Sequence, residues 1–227
     1  MAAYDEIVGL GNHCRVAYNL RRTFGIARAF PFDWWITPAE ALTAFLADPS
    51  LEKLYDPRRM APVMREEKIF AIDNVHYGIQ LQHEFPRCKN GSVVADWPAH
   101  IGQARARTEF LWKRLLATPA ERRILFVHWF ADAERRMLKR NGRPTVEAIQ
   151  AGLGRLFPRT PFELLLVDPP EWIEAPGVSS LQVGDRGRGW RGTPELWTRA
   201  LLGHGITWTG APSAAPPDPQ ADQASYA

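Results

Sequence analysis

Two stretches of this chain are apolar almost without interruption: RILFVHWF (123–130) and FELLLVDPP (162–170). A strand with one wet face alternates apolar and polar residues, whereas these runs do not, so both faces of each must be covered. Between them VEAIQAGLGRLF (146–157) has helical spacing. Strand, helix and strand with both strands apolar predict a βαβ unit in a covered parallel sheet in the second half of the chain.

The first half has a different rhythm. It predicts a strand at about 5–10, a helix at about 13–23, an aromatic turn at FPFDWW (30–35), and a helix at about 38–47 opened by Thr37 and Pro38. KIFAI and YGIQLQHEF read as strands joined at Asp73-Asn74. An amphipathic helix follows at 99–117, with Ile101, Phe110, Leu111 and Leu115 on its buried face. A later helix at about 193–203 leads to GITW, a short last strand. The predicted class is α/β, a single domain over 1–209 with a mixed sheet. The Pro- and Ala-rich segment 210–227 reads as a disordered tail.

Composition excludes several function classes. A formal charge of +3 over 227 residues, with basic and acidic side chains interspersed, marks no nucleic-acid surface. No run approaches the ~20 apolar residues of a membrane helix, and MAAYDEIV lacks the pattern of a signal peptide. Two cysteines, Cys14 and Cys88, make no disulfide framework and fit a reducing compartment. The expectation is a cytoplasmic protein without membrane or nucleic-acid partners.

The stretch EIVGLGNHCRVAYNLRR (6–22) carries the chemical signal. A β-prone run meets Gly9 and Gly11, and a helix opens at Asn12-His13-Cys14. With Asn12 as N-cap, Cys14 would stand among unpaired backbone N–H groups at the positive end of the helix dipole. Such a place lowers a thiol pKa and favours the nucleophilic thiolate. A buried structural cysteine is the plain alternative. Cys88, between Arg87 and Lys89 in a loop, carries no comparable signal.

A cysteine nucleophile needs a base and a group that orients it. Along YGIQLQHEF, His83 falls on the same face as Tyr77, Ile79, Leu81 and Phe85. His76 is seven positions earlier, on the opposite face, which argues against a His76–His83 metal pair.

IVGLGNHCRVAYNLRR, then FPFDWW, then YGIQLQHEF resembles, in that order, the bacterial DUF1796 family of papain-like cysteine peptidases. The resemblance covers roughly residues 4–130, with Gly9 where the family usually has serine. It implies a cysteine-dependent hydrolase or acyl transferase acting on an amide, ester or thioester of a peptide-like or acyl substrate. Cys14 would attack and His83 would serve as base and then acid. Asp33 would orient His83, with Asp96 as the alternative orienting carboxylate. The Cys14 N–H and the Asn12 side chain are the candidate oxyanion donors, and Trp34 would line the cleft. No cofactor is implied.

Two other readings follow from the residues. If the sheet is parallel from Ile7 onward, His128 and Asp168 lie near the carboxyl ends of their strands, where open α/β sheets build sites. That predicts an alternative triad, Cys14–His128–Asp168. The loop GDRGRGWRG (184–192) offers Arg186, Arg188 and Arg191 to an anionic group. A non-catalytic protein that binds a glycan or peptide in an aromatic cleft is the competing function.

Overall fold

The computed structural model describes residues 2–138, 142–187 and 189–210. Arg188 and the proposed tail from 211 onward lie outside the described residues. The chain folds as α/β, with parallel and antiparallel pairing held in separate sheets.

The parallel sheet contains β2 (Glu6–Gly9), β7 (Ile124–Trp129), β8 (Phe162–Val167) and β9 (Val178–Leu181), in the order β2-β7-β8-β9. Leu125, Phe126, Val127, Leu164, Leu165 and Leu166 are almost wholly buried, so both faces are covered as the apolar runs require. Helix α6 (Gly142–Leu156) connects β7 to β8, which completes the expected βαβ unit. A separate parallel pair joins β1 (Ala2–Tyr4) to β10 (Ile206–Trp208).

The antiparallel sheet runs β3-β6-β5-β4 through β3 (Trp35–Ile36), β6 (Ile79–Leu81), β5 (Lys68–Asn74) and β4 (Met60–Arg65). The two strands pair as predicted, but the turn between them is at 75–78, since Asp73 and Asn74 both belong to β5, and β6 stops at Leu81. His83 therefore lies in the irregular segment after the strand. Segment 49–68, mixed in composition, forms α3 (Leu51–Leu54), a 3-10 turn and β4, because Leu54, Tyr55 and Met60 join the core.

Helices α1 (Cys14–Phe24) and α7 (Pro194–Gly203) pack together, as do α2 (Ala39–Ala47) and α6. Helix α4 (Ile101–Leu116) buries Leu111, Trp112 and Leu115 but leaves Phe110 62% exposed, so Phe110 is not a core residue. The FPFDWW stretch makes a 3-10 turn, Pro31–Trp34, whose Phe32 meets Trp35, Phe45 and Trp112 edge to face. Residues of the parallel and antiparallel sheets thus share one hydrophobic core.

Candidate functional site around Cys14

Cys14 is the first residue of α1, beyond the carboxyl end of β2. Gly11 makes the intervening turn possible. Its φ of +100° suits glycine, and a Cβ there would stand 3.0 Å from Thr37 Cβ and 3.1 Å from Thr37 O. At Gly9, a Cβ would lie 3.2 Å from Val16 Cγ1. Glycine at this position lets α1 sit close against β2.

The N-cap differs from expectation. It is His13, in extended backbone, whose Nδ1 accepts from the Arg15 N–H at 3.4 Å. The same Nδ1 stands 3.2 Å from Cys14 Sγ. A ring nitrogen that accepts a backbone N–H is an acceptor for the thiol too, and it leaves the ring proton on Nε2. Sequence reasoning passed over His13 as a partner for the thiol. Its only signal was adjacency: a histidine that caps a helix turns its ring back over the first turn, onto the residue that follows.

Asn12 is released from capping because its Nδ2 donates to Glu134 Oε2 at 2.7 Å. Glu134 belongs to α5 (Asp132–Met137), and its Oε1 accepts from the Ala39 N–H at the start of α2. That contact replaces the cap expected from Thr37, and α2 begins without a cap from its neighbouring side chains. Glu134 carries no local sequence signal for this role.

His83 is partly buried, and its ring meets Trp34 edge to face at 5.9 Å between centroids. The next residues along each segment also pair, since Trp35 Nε1 donates to Glu84 Oε1 at 3.0 Å. Arg107 completes this clasp with an ion pair to the buried Glu84. Two matched contacts, 34 with 83 and 35 with 84, hold the FPFDWW turn against the segment bearing His83.

Burial governs the ionisation of all three groups. It pushes the Cys14 thiol up to about 12, although the Cys14 N–H, the Arg15 charge and the Arg15 N–H all pull the other way. The helix-terminus effect expected from sequence is present, but desolvation outweighs it. Burial pushes the His13 imidazole down to about 4, assisted by Arg15. It does the same to His83, assisted by Arg87 and by His13 itself. Thiol and imidazoles are therefore uncharged at neutral pH, and His13 and His83 are close enough for charge on one to oppose charge on the other.

Asp33 has other contacts than the expected one. Its Oδ2 accepts from Arg21 Nη2 at 2.7 Å and from the Phe30 N–H at 2.8 Å, tying the 3-10 turn to α1. Arg21 in turn lies over the Trp34 ring at 5.3 Å. Arg87 and His13 both add to the downward shift of His83, while Asp33 ties the turn that carries Trp34, the ring against His83, to α1. Asp96 is exposed and stands 3.7 Å from His100, one helical turn away.

The alternative triad is not assembled. His128 is fully buried within β7, with Nε2 3.7 Å from Glu134 Oε1 and its ring against Phe130. Its neighbour Trp129 points to the opposite face, where Arg15 of α1 covers the indole at 4.9 Å. His128 thus faces away from α1. Asp168 accepts from the Val183 and Gly184 N–H groups at 2.8 Å each and from Trp129 Nε1, closing the turn after β8.

The 184–192 loop folds onto α1. Arg15 donates to the carbonyl oxygens of Gly187, Gly189 and Trp190, while Asn19 donates to that of Arg191. Arg191 lies over the Tyr18 and Trp190 rings, and Arg186 is exposed. Among the described residues, no group of three or more His, Cys, Asp or Glu side chains could hold a metal ion. None of their helices is long and apolar enough to cross a membrane.

Compared with known proteins, the chain matches no family model, no curated protein and no solved structure.

Proposed function

We propose that this protein is a cysteine-dependent hydrolase or acyl transferase that acts on an amide, ester or thioester through Cys14. The observation that carries this reading is the 3.2 Å separation of Cys14 Sγ and His13 Nδ1 at the opening of α1. A thiol held at hydrogen-bond distance from an imidazole acceptor is the arrangement that nucleophilic catalysis by cysteine requires. The ordered likeness to the papain-like peptidase family supports the same chemistry on independent grounds.

Both partners are uncharged at rest, so the step is base-assisted attack and not reaction of a preformed thiolate. As Sγ bonds to the substrate carbonyl carbon, the thiol proton passes to His13 Nδ1. The carbonyl electron pair moves to oxygen, then returns as the bond to the leaving group breaks. That group takes the proton from His13, and water or an acceptor nucleophile releases the acyl group from sulfur. His83 meets Trp34 edge to face, and charge on His83 and charge on His13 oppose one another.

The test is acylation of the Cys88→Ser chain by p-nitrophenyl acetate, with the acylated peptide located by mass. Cys14 is expected to acylate, and His13→Gln to slow that step by about 100-fold, within the usual range for a general base. His83→Gln should slow it less. Acylation unchanged by His13→Gln but abolished by His83→Gln would return the base to His83. A Cys14 inert to the ester in the folded chain would leave the aromatic-cleft binding protein as the better reading.

A further inference from the structure

Asn12 is buried, and its amide makes a single side-chain hydrogen bond among the described residues, the one from Nδ2 to Glu134. Its backbone carbonyl accepts from the Thr37 N–H at 3.2 Å, which fixes the peptide as well. A carboxylate only accepts hydrogen bonds, so Glu134 dictates that the amide turns its NH2 group toward α5. One N–H is used there, and among the described residues the amide donates no second hydrogen bond. It belongs to a residue two positions from the thiol, in the turn that carries Cys14.

Glu134 is itself anchored from three sides. Oε2 takes Asn12, Oε1 takes the Ala39 N–H, and His128 Nε2 stands 3.7 Å from Oε1. Burial alone would raise this carboxyl, but His128, Ala39 and Asn12 together hold it below its ordinary value. Among the described residues neither ring nitrogen of His128 makes a hydrogen bond, and Nε2 faces Glu134 at 3.7 Å. Such an arrangement costs desolvation energy and needs a reason beyond packing.

We propose that Glu134, backed by His128, is a positioning residue that holds the Asn12 amide as a hydrogen-bond donor to the oxyanion formed when Cys14 attacks a carbonyl. The inference rests on the reading of Cys14 as nucleophile. It adds an α5 carboxylate to the site and gives the otherwise unexplained buried pair a task. A donor fixed by a charged acceptor is preorganised, and preorganised donors are what stabilise developing oxyanions.

Two reagents separate this role from structural support. In the Cys88→Ser chain, acyl transfer from p-nitrophenyl acetate to Cys14 passes through an oxyanion before p-nitrophenolate leaves. Alkylation by iodoacetamide displaces iodide at carbon and forms none. Glu134→Gln is expected to slow acylation by about 100-fold while changing alkylation by less than about 3-fold. Asn12→Ala should give the same split, and the double variant should be no slower than either single one. Equal slowing of both reactions, or slowing of neither, overturns the positioning role. If Glu134→Gln fails to fold by circular dichroism, Asn12→Ala decides alone, and a parallel loss of both reactions refutes the inference. Failure of the underlying reading looks different: Cys14 of the unsubstituted site would alkylate but would not acylate.

Discussion

The two sheets divide the labour of the site. The parallel sheet is buried on both faces, and the turn leaving its edge strand β2 carries Asn12, His13 and Cys14. The antiparallel sheet is half wet: three of the six residues of β4 are exposed, and β6 ends two residues before His83. Each region holds one cysteine, with Cys14 buried at the first and Cys88 exposed beside the second. The thiol–imidazole pair is built on the turn that leaves the buried sheet, and the second imidazole arrives on an irregular segment beyond the end of β6. Groups that must meet within hydrogen-bond distance sit where the backbone is most constrained.

The contrast between the cysteines should be the largest effect. With its thiol pushed up to about 12, Cys14 holds very little thiolate at pH 8. It should alkylate roughly 10³-fold more slowly than free cysteine with a pKa of ~8.5. Competitive labelling with iodoacetamide, read by peptide mass, should therefore mark Cys88 first. Preferential marking of Cys14 at pH 6 would restore the low-pKa thiolate expected from its helix-start position and break the comparison.

Core substitutions sharpen it next. Leu165→Ala in β8 should destabilise the chain by about 2–5 kcal/mol in urea unfolding, since that side chain is fully enclosed. Met64→Ala in β4, where the side chain is 54% exposed, should change stability by no more than about 0.5 kcal/mol. Similar losses at both positions would deny the difference between the sheets.

Asp33→Asn should cost about 2 kcal/mol, because it removes the charge that Arg21 and the Phe30 N–H share. Acylation of Cys14 in the folded fraction should change little. A stable variant with sharply slower acylation would give Asp33 back the orienting role predicted from sequence.

The smallest effect is a slope. His83 is held uncharged, with a folded pKa of about 4 against an ordinary 6.5. Its burial therefore favours the folded state fully above pH 6.5, and that contribution declines as pH falls from 6.5 toward 4. His83→Gln, which cannot titrate, should flatten the stability profile in that window. An unchanged slope would mean that His83 is solvated in the folded chain.

Much of the scaffold was legible in the residues themselves. Unbroken apolar runs cannot face water, so β7, α6 and β8 were readable as a covered βαβ unit. Helix α1 followed from its helical spacing, and the structure closes it at Gly25 in left-handed conformation at φ +70°. The site was legible only in outline. Cys14 could be singled out because local backbone polarity at a helix start is a sequence-level property. His83 could be singled out by its place in the order of motifs, although the strand assumed to carry it ends earlier and its contact with Trp34 came only from the fold.

What the sequence determined by itself was the period of the apolar residues and the position of Cys14 at the opening of a helix, since both depend on neighbours along the chain. Tertiary structure alone decided the ionisation and the partners. The thiol pKa was raised because several elements close over Cys14 and remove water, an effect larger than the helix terminus that lowers it. Asn12 was drawn from its expected cap by Glu134, 122 residues away, and Asp33 was taken by Arg21. A side chain with several acceptors in reach goes to the one that leaves fewest buried polar groups unpaired, and that choice exists only once the chain has folded.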